Sequence, residues 1–257
     1  MVDLVGYFLF VFAGLFFGLF GSGGSIIIIP ILIYIFKINS YEATTYSLLL
    51  VFLISFFGSI KHFKSRNMHI SKILSFIVST LLFTAISRIY IFPNIPDYIK
   101  LLNISKESLL MIIFSIVIFI SALSLFQSPL KAVSRNYTVV LFLTGICVGL
   151  LTGILGIGGG FIILPALILF AGMGIKQAAS CTLFIIMLNS LLAIMLEITI
   201  FRFDFRWDFI VYILLSSLIG VSIGIYLLNK IDVKIIKKLF SYSLLLLSLL
   251  ILFIELF

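Results

Sequence analysis

GLFFGLFGSGGSIIIIPILI, Gly14 to Ile33, and GLLTGILGIGGGFIILPALI, Gly149 to Ile168, lie 135 positions apart and agree at 11 of 20 positions without a gap. Leu and Ile matches carry little weight in a chain that is 63% hydrophobic, but the shared set includes five glycines and a proline. Gly14, Gly18, Gly21, Gly23, Gly24 and Pro30 answer to Gly149, Gly153, Gly156, Gly158, Gly159 and Pro165. The chain reads as two copies of one unit. The two windows hold 11 of the 18 glycines, so irregular backbone is concentrated at two equivalent places, as in transporters with internal pseudo-symmetry.

Composition points the same way. Mean hydropathy is +1.38 and 10% of residues are charged, against ~25% in a soluble domain. No run among the 257 residues is polar enough for a separate soluble domain. The expectation is one all-α transmembrane domain in the lipid bilayer: repeat 1 at about 4–126, a polar linker at 127–137, repeat 2 at about 138–254. The net charge of +8 sits in short loops between apolar segments, which marks topology rather than nucleic-acid binding. With Asp3 and no Lys or Arg before Lys37, the N-terminus lacks the basic region of a cleaved signal peptide, so the first helix is expected to stay. Cys147 and Cys181 lie in apolar stretches and read as packing residues.

Each half divides into five apolar segments: 4–20, 26–36, 43–60, 73–92 and 108–126, then 138–155, 161–171, 177–200, 209–228 and 239–254. A full span needs ~20 residues, so the 11-residue segments reach about half the hydrocarbon core. They predict half-helices, each following a Gly-rich bend at mid-depth. With the N-terminus outside, the inner loops receive Lys61, Lys64, Arg66, Lys72, Lys131, Arg135, Lys176, Lys230, Lys234, Lys237 and Lys238, 11 of the 17 basic residues, facing the single acid Asp232. The positive-inside rule therefore predicts both termini outside and two inverted repeats of about five segments each.

The bends Gly21-Ser22-Gly23-Gly24-Ser25 and Gly156-Ile157-Gly158-Gly159-Gly160 are the candidate binding site. Irregular backbone at that depth survives only where it is packed in protein or lines a wet cavity. A half-helix starting there aims unpaired N–H groups, with about half an elementary charge, at whatever fills the cavity. Two such ends would hold a small anion. Gly14, Gly18, Gly145, Gly149 and Gly153 have the four-residue spacing of helix packing instead. Neither bend fits a dinucleotide or phosphate-loop motif.

The paired stretches GLFGSGGSIIIIP and GILGIGGGFIILP, followed by Glu42-Ala43-Thr44-Thr45-Tyr46-Ser47 and Gln177-Ala178-Ala179-Ser180-Cys181-Thr182, resemble the signature of the TauE/SafE sulfite exporter (TSUP) family over essentially the whole chain. The resemblance implies a plasma-membrane carrier that exports sulfite, an organosulfonate or a related sulfur-containing anion. It does not fix the substrate.

Hydroxyls align between the copies at Thr45 and Ser180, Ser47 and Thr182, and Ser55 and Ser190. Ser55, Ser190 and Asn189 reach the depth of the bends and are candidate donors to sulfonyl-type oxygens. The competing reading is a hydroxyl bonded back to its own helix or an amide joining two helices. Thr45 and Ser180 lie nearer the helix ends. Glu197, alone in an apolar run, is a candidate for coupling or gating. An interfacial salt bridge to Arg202, Arg206 or Arg88 is the favoured reading of it. Arg88 is an outer attractor for anions or an interfacial anchor. His62 and His69 fall in the basic inner loop.

The expected function is secondary transport of a small anion by alternating access, without cofactor or metal. Alternatives are an anion channel, or a carrier of a small carboxylate or other anion. An intramembrane hydrolase built on Ser22 or Ser25 lacks a base within reach, so no enzyme is expected. A homo-oligomer is compatible with the sequence.

Overall fold

The computed structural model describes residues 2–21, 23–63, 70–99, 103–126, 137–228 and 230–256. Ser22, the linker 127–136 and the loop with Lys64, Arg66 and His69 lie outside them. Ten α-helices follow in order: α1 (Val2–Phe20), α2 (Ser25–Pro30), α3 (Ser40–Phe63), α4 (Ile70–Ile86), α5 (Lys106–Phe126), α6 (Tyr137–Leu155), α7 (Gly160–Phe170), α8 (Ile175–Thr199), α9 (Trp207–Leu228) and α10 (Val233–Leu256). Among the described residues, seven helical stretches are long and apolar enough to cross a membrane. The protein is an all-α membrane protein.

Departures from the simplest reading are local. Between α4 and α5 a two-residue antiparallel ladder pairs β1 (Tyr98–Ile99) with β2 (Ile104–Ser105). α2 continues through a π-helical turn at Ile31–Ile35, closed by Phe36 N–H donating to Ile31 O at 3.2 Å. Pro30 precedes that turn and has no N–H to give, which accounts for the widened register. Pro165, its counterpart, is absorbed within α7. α4 also ends in a π-helical turn, Ser87–Ile91.

The helices pack mainly across the two halves. α1 lies along α9, α4 along α6, α3 along α8 and α5 along α10. α1 and α9 run the same way: Tyr7 stacks near Tyr212, and a methyl at Gly14 would stand 2.0 Å from Ser217 O, one at Gly18 2.4 Å from Val221 O. α4 and α6 also run the same way, with Thr84 donating to Gly149 O at 3.2 Å and Ser87 to Leu150 O at 2.8 Å. Gly145 and Gly153 press on Ser79 and Ser87, so these glycines permit the close approach that their spacing predicted.

α3 and α8 run oppositely. Tyr41 at the start of α3 meets Glu197 near the end of α8, while Gly58 meets Leu183. Both helices are largely buried. Exposed Phe8, Phe57, Leu82, Leu143, Leu215 and Leu246 cover the outside with apolar surface, as contact with hydrocarbon requires.

Candidate functional site

Each copy's short helix starts at a glycine bend, but the two bends are built differently. In the second, Gly156, Gly158 and Gly159 have φ of +66°, +68° and +74°, a left-handed backbone that other residues adopt at a cost. In the first, Gly21 has φ +71° while Gly24 is right-handed at −70°. The second bend ends in α7, 11 residues long, with Gly159 as N-cap and no side chain capping it. Gly159 O accepts from the N–H groups of Ile162 and Ile163 at 3.0 and 2.9 Å. The N–H groups before them are those that helix geometry leaves without an intrahelical partner.

Surroundings separate the bends further. A Cβ at Gly158 would stand 2.7 Å from Val51 Cγ1, 2.9 Å from Ile186 Cγ2 and 3.1 Å from Ser190 Oγ, and one at Gly159 would stand 2.3 Å from Thr152 Oγ1. Thr152 and Ser190 are buried, and neither hydroxyl has a hydrogen-bond partner. The adjacent Asn189 is fully buried with both Oδ1 and Nδ2 unpartnered. Ser47, also buried and unpartnered, lies on α3, and the antiparallel α3–α8 register brings it to about the level of Ser190; Thr182, equally buried and unpartnered, lies toward the other end of α8, one turn after Ala179, which Gly21 meets. Buried polar atoms are nearly always paired in native proteins, so such a concentration calls for a partner that is not protein.

The first bend faces apolar groups. Gly23 meets the rings of Phe240 and Phe20, Gly24 meets Phe17 and Ala13 O, and Gly21 meets Ala179. Ser25 is fully buried. The two bends are thus unequal in their immediate contacts: Thr152 and Ser190 stand against the second, while the unpartnered hydroxyls of Ser59 and Thr182 lie toward the opposite end of the α3–α8 seam, where Gly58 meets Leu183.

Other expected site residues are accounted for. Ser55 donates to Phe52 O at 3.1 Å, back onto its own helix, while its counterpart Ser190 does not. Thr45 donates to Tyr41 O and accepts from Arg88 Nη2 at 2.9 Å. Ser180 is buried near the start of α8. Cys181 is buried, whereas Cys147 is exposed rather than packed, and neither forms a disulfide. Cys147 lines an apolar cleft of about 370 Å³ between α5, α6 and α7 that no charged side chain enters.

Glu197 and Arg88 require a correction. Their salt bridge forms, and Arg88 is the partner that α4 supplies, but both side chains are 0% exposed rather than interfacial. The π-helical turn at Ser87–Ile91 carries Arg88. All five of its N–H groups can be assigned: Nε to Glu197, Nη1 to Thr44 Oγ1 and Gly153 O, Nη2 to Thr44 Oγ1 and Thr45 Oγ1. Phe92 stacks on the guanidinium at 4.3 Å. Tyr41 OH donates to the second Glu197 oxygen at 2.7 Å. Arg88 is consequently no exposed attractor for anions. It ties α3, α4, α6 and α8 together, and a Cβ at Gly156 would strike Thr44, at 2.4 Å from its Cβ, which joins this network to the second bend.

The sequence reading missed Thr152. The available signal was a departure from the repeat, because its counterpart in the first copy is Phe17. Asn189 likewise faces Ile54 in the alignment of the halves.

Comparison with known proteins agrees with this architecture. Residues 7–251 match the family described as Sulfite exporter TauE/SafE. The chain is 26% identical over 228 residues to a probable membrane transporter protein of Methanocaldococcus jannaschii, covering 86% of this chain and 81% of that one. No solved structure matches significantly. The chain belongs to the sulfite exporter TauE/SafE family.

Proposed function

We propose that the protein is a secondary membrane transporter that carries a small anion, sulfite or an organosulfonate, outward across the plasma membrane by alternating access. The observation that carries this reading is the group of unpartnered, buried polar side chains against the left-handed glycines of the second bend. A static packing role leaves their hydrogen-bonding capacity unused, whereas a bound oxyanion uses it. The family and its relative support transport as such, and the sulfur chemistry rests on the family description.

In this reading the halves, about 4–126 and 138–254, are inverted repeats with both termini outside. Support comes from the opposed directions of the equivalent helices α3 and α8, together with the exchanged pairing of α1 with α9 and α4 with α6. A two-fold axis relating α3 to α8 lies across those helices, hence in the membrane plane. The short helices then enter from opposite faces as re-entrant elements. The Arg88–Glu197 pair acts as a gate at one end of the α3–α8 seam, where its burial makes separation of the two charges costly and therefore a rare event.

The test is saturable, competitor-sensitive flux of labelled sulfite in proteoliposomes, with sulfate, taurine and sulfoacetate alongside. Gly158→Leu is expected to abolish flux. Ser190→Ala, which leaves the backbone intact, is expected to weaken it. Non-saturable conductance would favour a channel, and full activity in both variants would remove the site from the reading.

A further inference from the structure

The polar groups at the second bend differ in kind as well as number from a simple anion trap. Around Gly158 and Gly159 stand Thr152 and Ser190, with Asn189 beside Ser190 on α8, and all three have unpartnered polar atoms at 0–1% exposure. Hydroxyls donate and accept. The amide nitrogen donates, and the amide oxygen only accepts. The N-terminus of α7 adds N–H donors and about half a positive charge. Arg88, the nearest buried cation among the described residues, has all five N–H groups engaged elsewhere.

Charge and hydrogen-bond inventory together constrain the occupant. A dianion at this depth would find only a fractional positive charge to compensate its desolvation, whereas a monoanion is much better matched. Several donors converge, which calls for several acceptor oxygens on the ligand. Asn189 Oδ1 calls for the opposite: a ligand O–H or N–H. A fully deprotonated oxyanion would set oxygen lone pairs against that amide oxygen.

We infer that the second bend, with Thr152, Asn189 and Ser190, binds a monoanion that is itself a hydrogen-bond donor, such as hydrogen sulfite or a hydroxy-substituted sulfonate, and discriminates against dianions and donor-free monoanions. This rests on the anion-carrier reading and adds a specificity rule to it. Asn189 is the specificity-determining residue. The first bend cannot apply the rule, since Phe17, Ile54 and the back-bonded Ser55 occupy the corresponding positions.

The experiment compares matched pairs of ligands on the full-length protein. Hydroxymethanesulfonate against methanesulfonate, and glycolate against acetate, differ in one hydroxyl, and sulfate serves as the dianion. Each is tested at equal concentration for inhibition of sulfite flux and for the rise in melting temperature of the purified protein. The donor-bearing member of the bound pair is expected to act at about tenfold lower concentration, the worth of one hydrogen bond at a site that would otherwise leave its acceptor unpaired. Sulfate is expected to be ineffective, and in Asn189→Leu the ligand-dependent rise in melting temperature is expected to vanish. Equal potency within a pair, or effective sulfate, overturns this inference and leaves the carrier intact. An undiminished melting response in Asn189→Leu does the same. Failure of every ligand to bind overturns both.

Discussion

Replacing Asn189 by Leu is expected to make the protein more stable and less functional at once. The two side chains have the same number of heavy atoms, but the methyl groups of Leu are bulkier than the planar amide, so the substitution leaves no void and some overpacking offsets part of the gain. It removes an amide that is 0% exposed and whose oxygen and nitrogen both lack partners. An unsatisfied buried polar group costs about 1–3 kcal/mol, and polar contacts in membranes fall toward the low end because the unfolded chain also finds partners there. At about 2–4 °C per kcal/mol for a chain of this size, the melting temperature in detergent should rise by about 2–10 °C without ligand. Transport, measured on the same preparation, should fall because the ligand loses an acceptor and a donor together. A site-specific cost of this sign is what a binding site shows when empty: its polar groups are kept ready for a partner and destabilise the fold until that partner arrives. A variant that melts lower than wild type by more than the roughly 1–3 kcal/mol that overpacking costs would mean that Asn189 is satisfied within the fold. A variant that melts higher but transports normally would separate the unpaired amide from function. Either result refutes the reasoning.

Two further outcomes test the packing around the site. Gly14→Ala places a methyl 2.0 Å from Ser217 O, so α1 and α9 must separate, and a loss of about 1–3 kcal/mol is expected from overpacking. Gly174→Ala meets nothing within 4 Å and should stay within about 0.5 kcal/mol of wild type; chemical-denaturation midpoints in detergent that reverse this order would dismiss the parallel α1–α9 seam. Cys147 is exposed and Cys181 buried, so a maleimide should modify the folded protein at Cys147, with Cys181 reacting only after denaturation. Mass mapping that finds Cys181 first would contradict the packing of α8 on α3.

Much of the fold was legible because apolar length is set by the bilayer. The run read at 161–171 is the helix Gly160–Phe170, and that read at 138–155 is Tyr137–Leu155. α10 was read too short, from 239 rather than Val233, because Lys234, Lys237 and Lys238 interrupt the hydropathy without breaking the helix. Of the proposed site, the glycine bends and Ser190 were named through the repeat, whereas Asn189 departs from it, facing Ile54. What escaped was long-range geometry. Arg88 and Glu197 are 109 residues apart, and although Pro93 marks the end of the helix just past the π-helical turn, it does not say that the turn carries Arg88 inward onto α8. Ser55 and Ser190 look alike in the alignment, and only packing decides that the first bonds to its own helix while the second stays open.

The departures from the repeat carry more chemistry than the repeat itself. Where the second copy has Thr152 and Asn189 the first has Phe17 and Ile54, and where the first has Arg88 and Thr44 the second has Ile223 and Ala179. The shared glycines and prolines set a frame that both halves need, and the unlike residues place polar groups on one side of it. If both bends gripped the anion equally, each would need its own donors, and motion of one half against the other would have to break one grip. A site carried by a single bend stays whole while the apolar surface of the opposite half, with Phe17 and Ile54, moves past it. The buried Arg88–Glu197 pair, joined through Thr44 to that same bend at Gly156, links the first half to α6 and α8 of the second, so in this cycle it must give way when the halves move, as a gate does. In the proposed cycle it is the first bend that slides, and substitutions enlarging its apolar contacts should slow turnover more than they weaken binding.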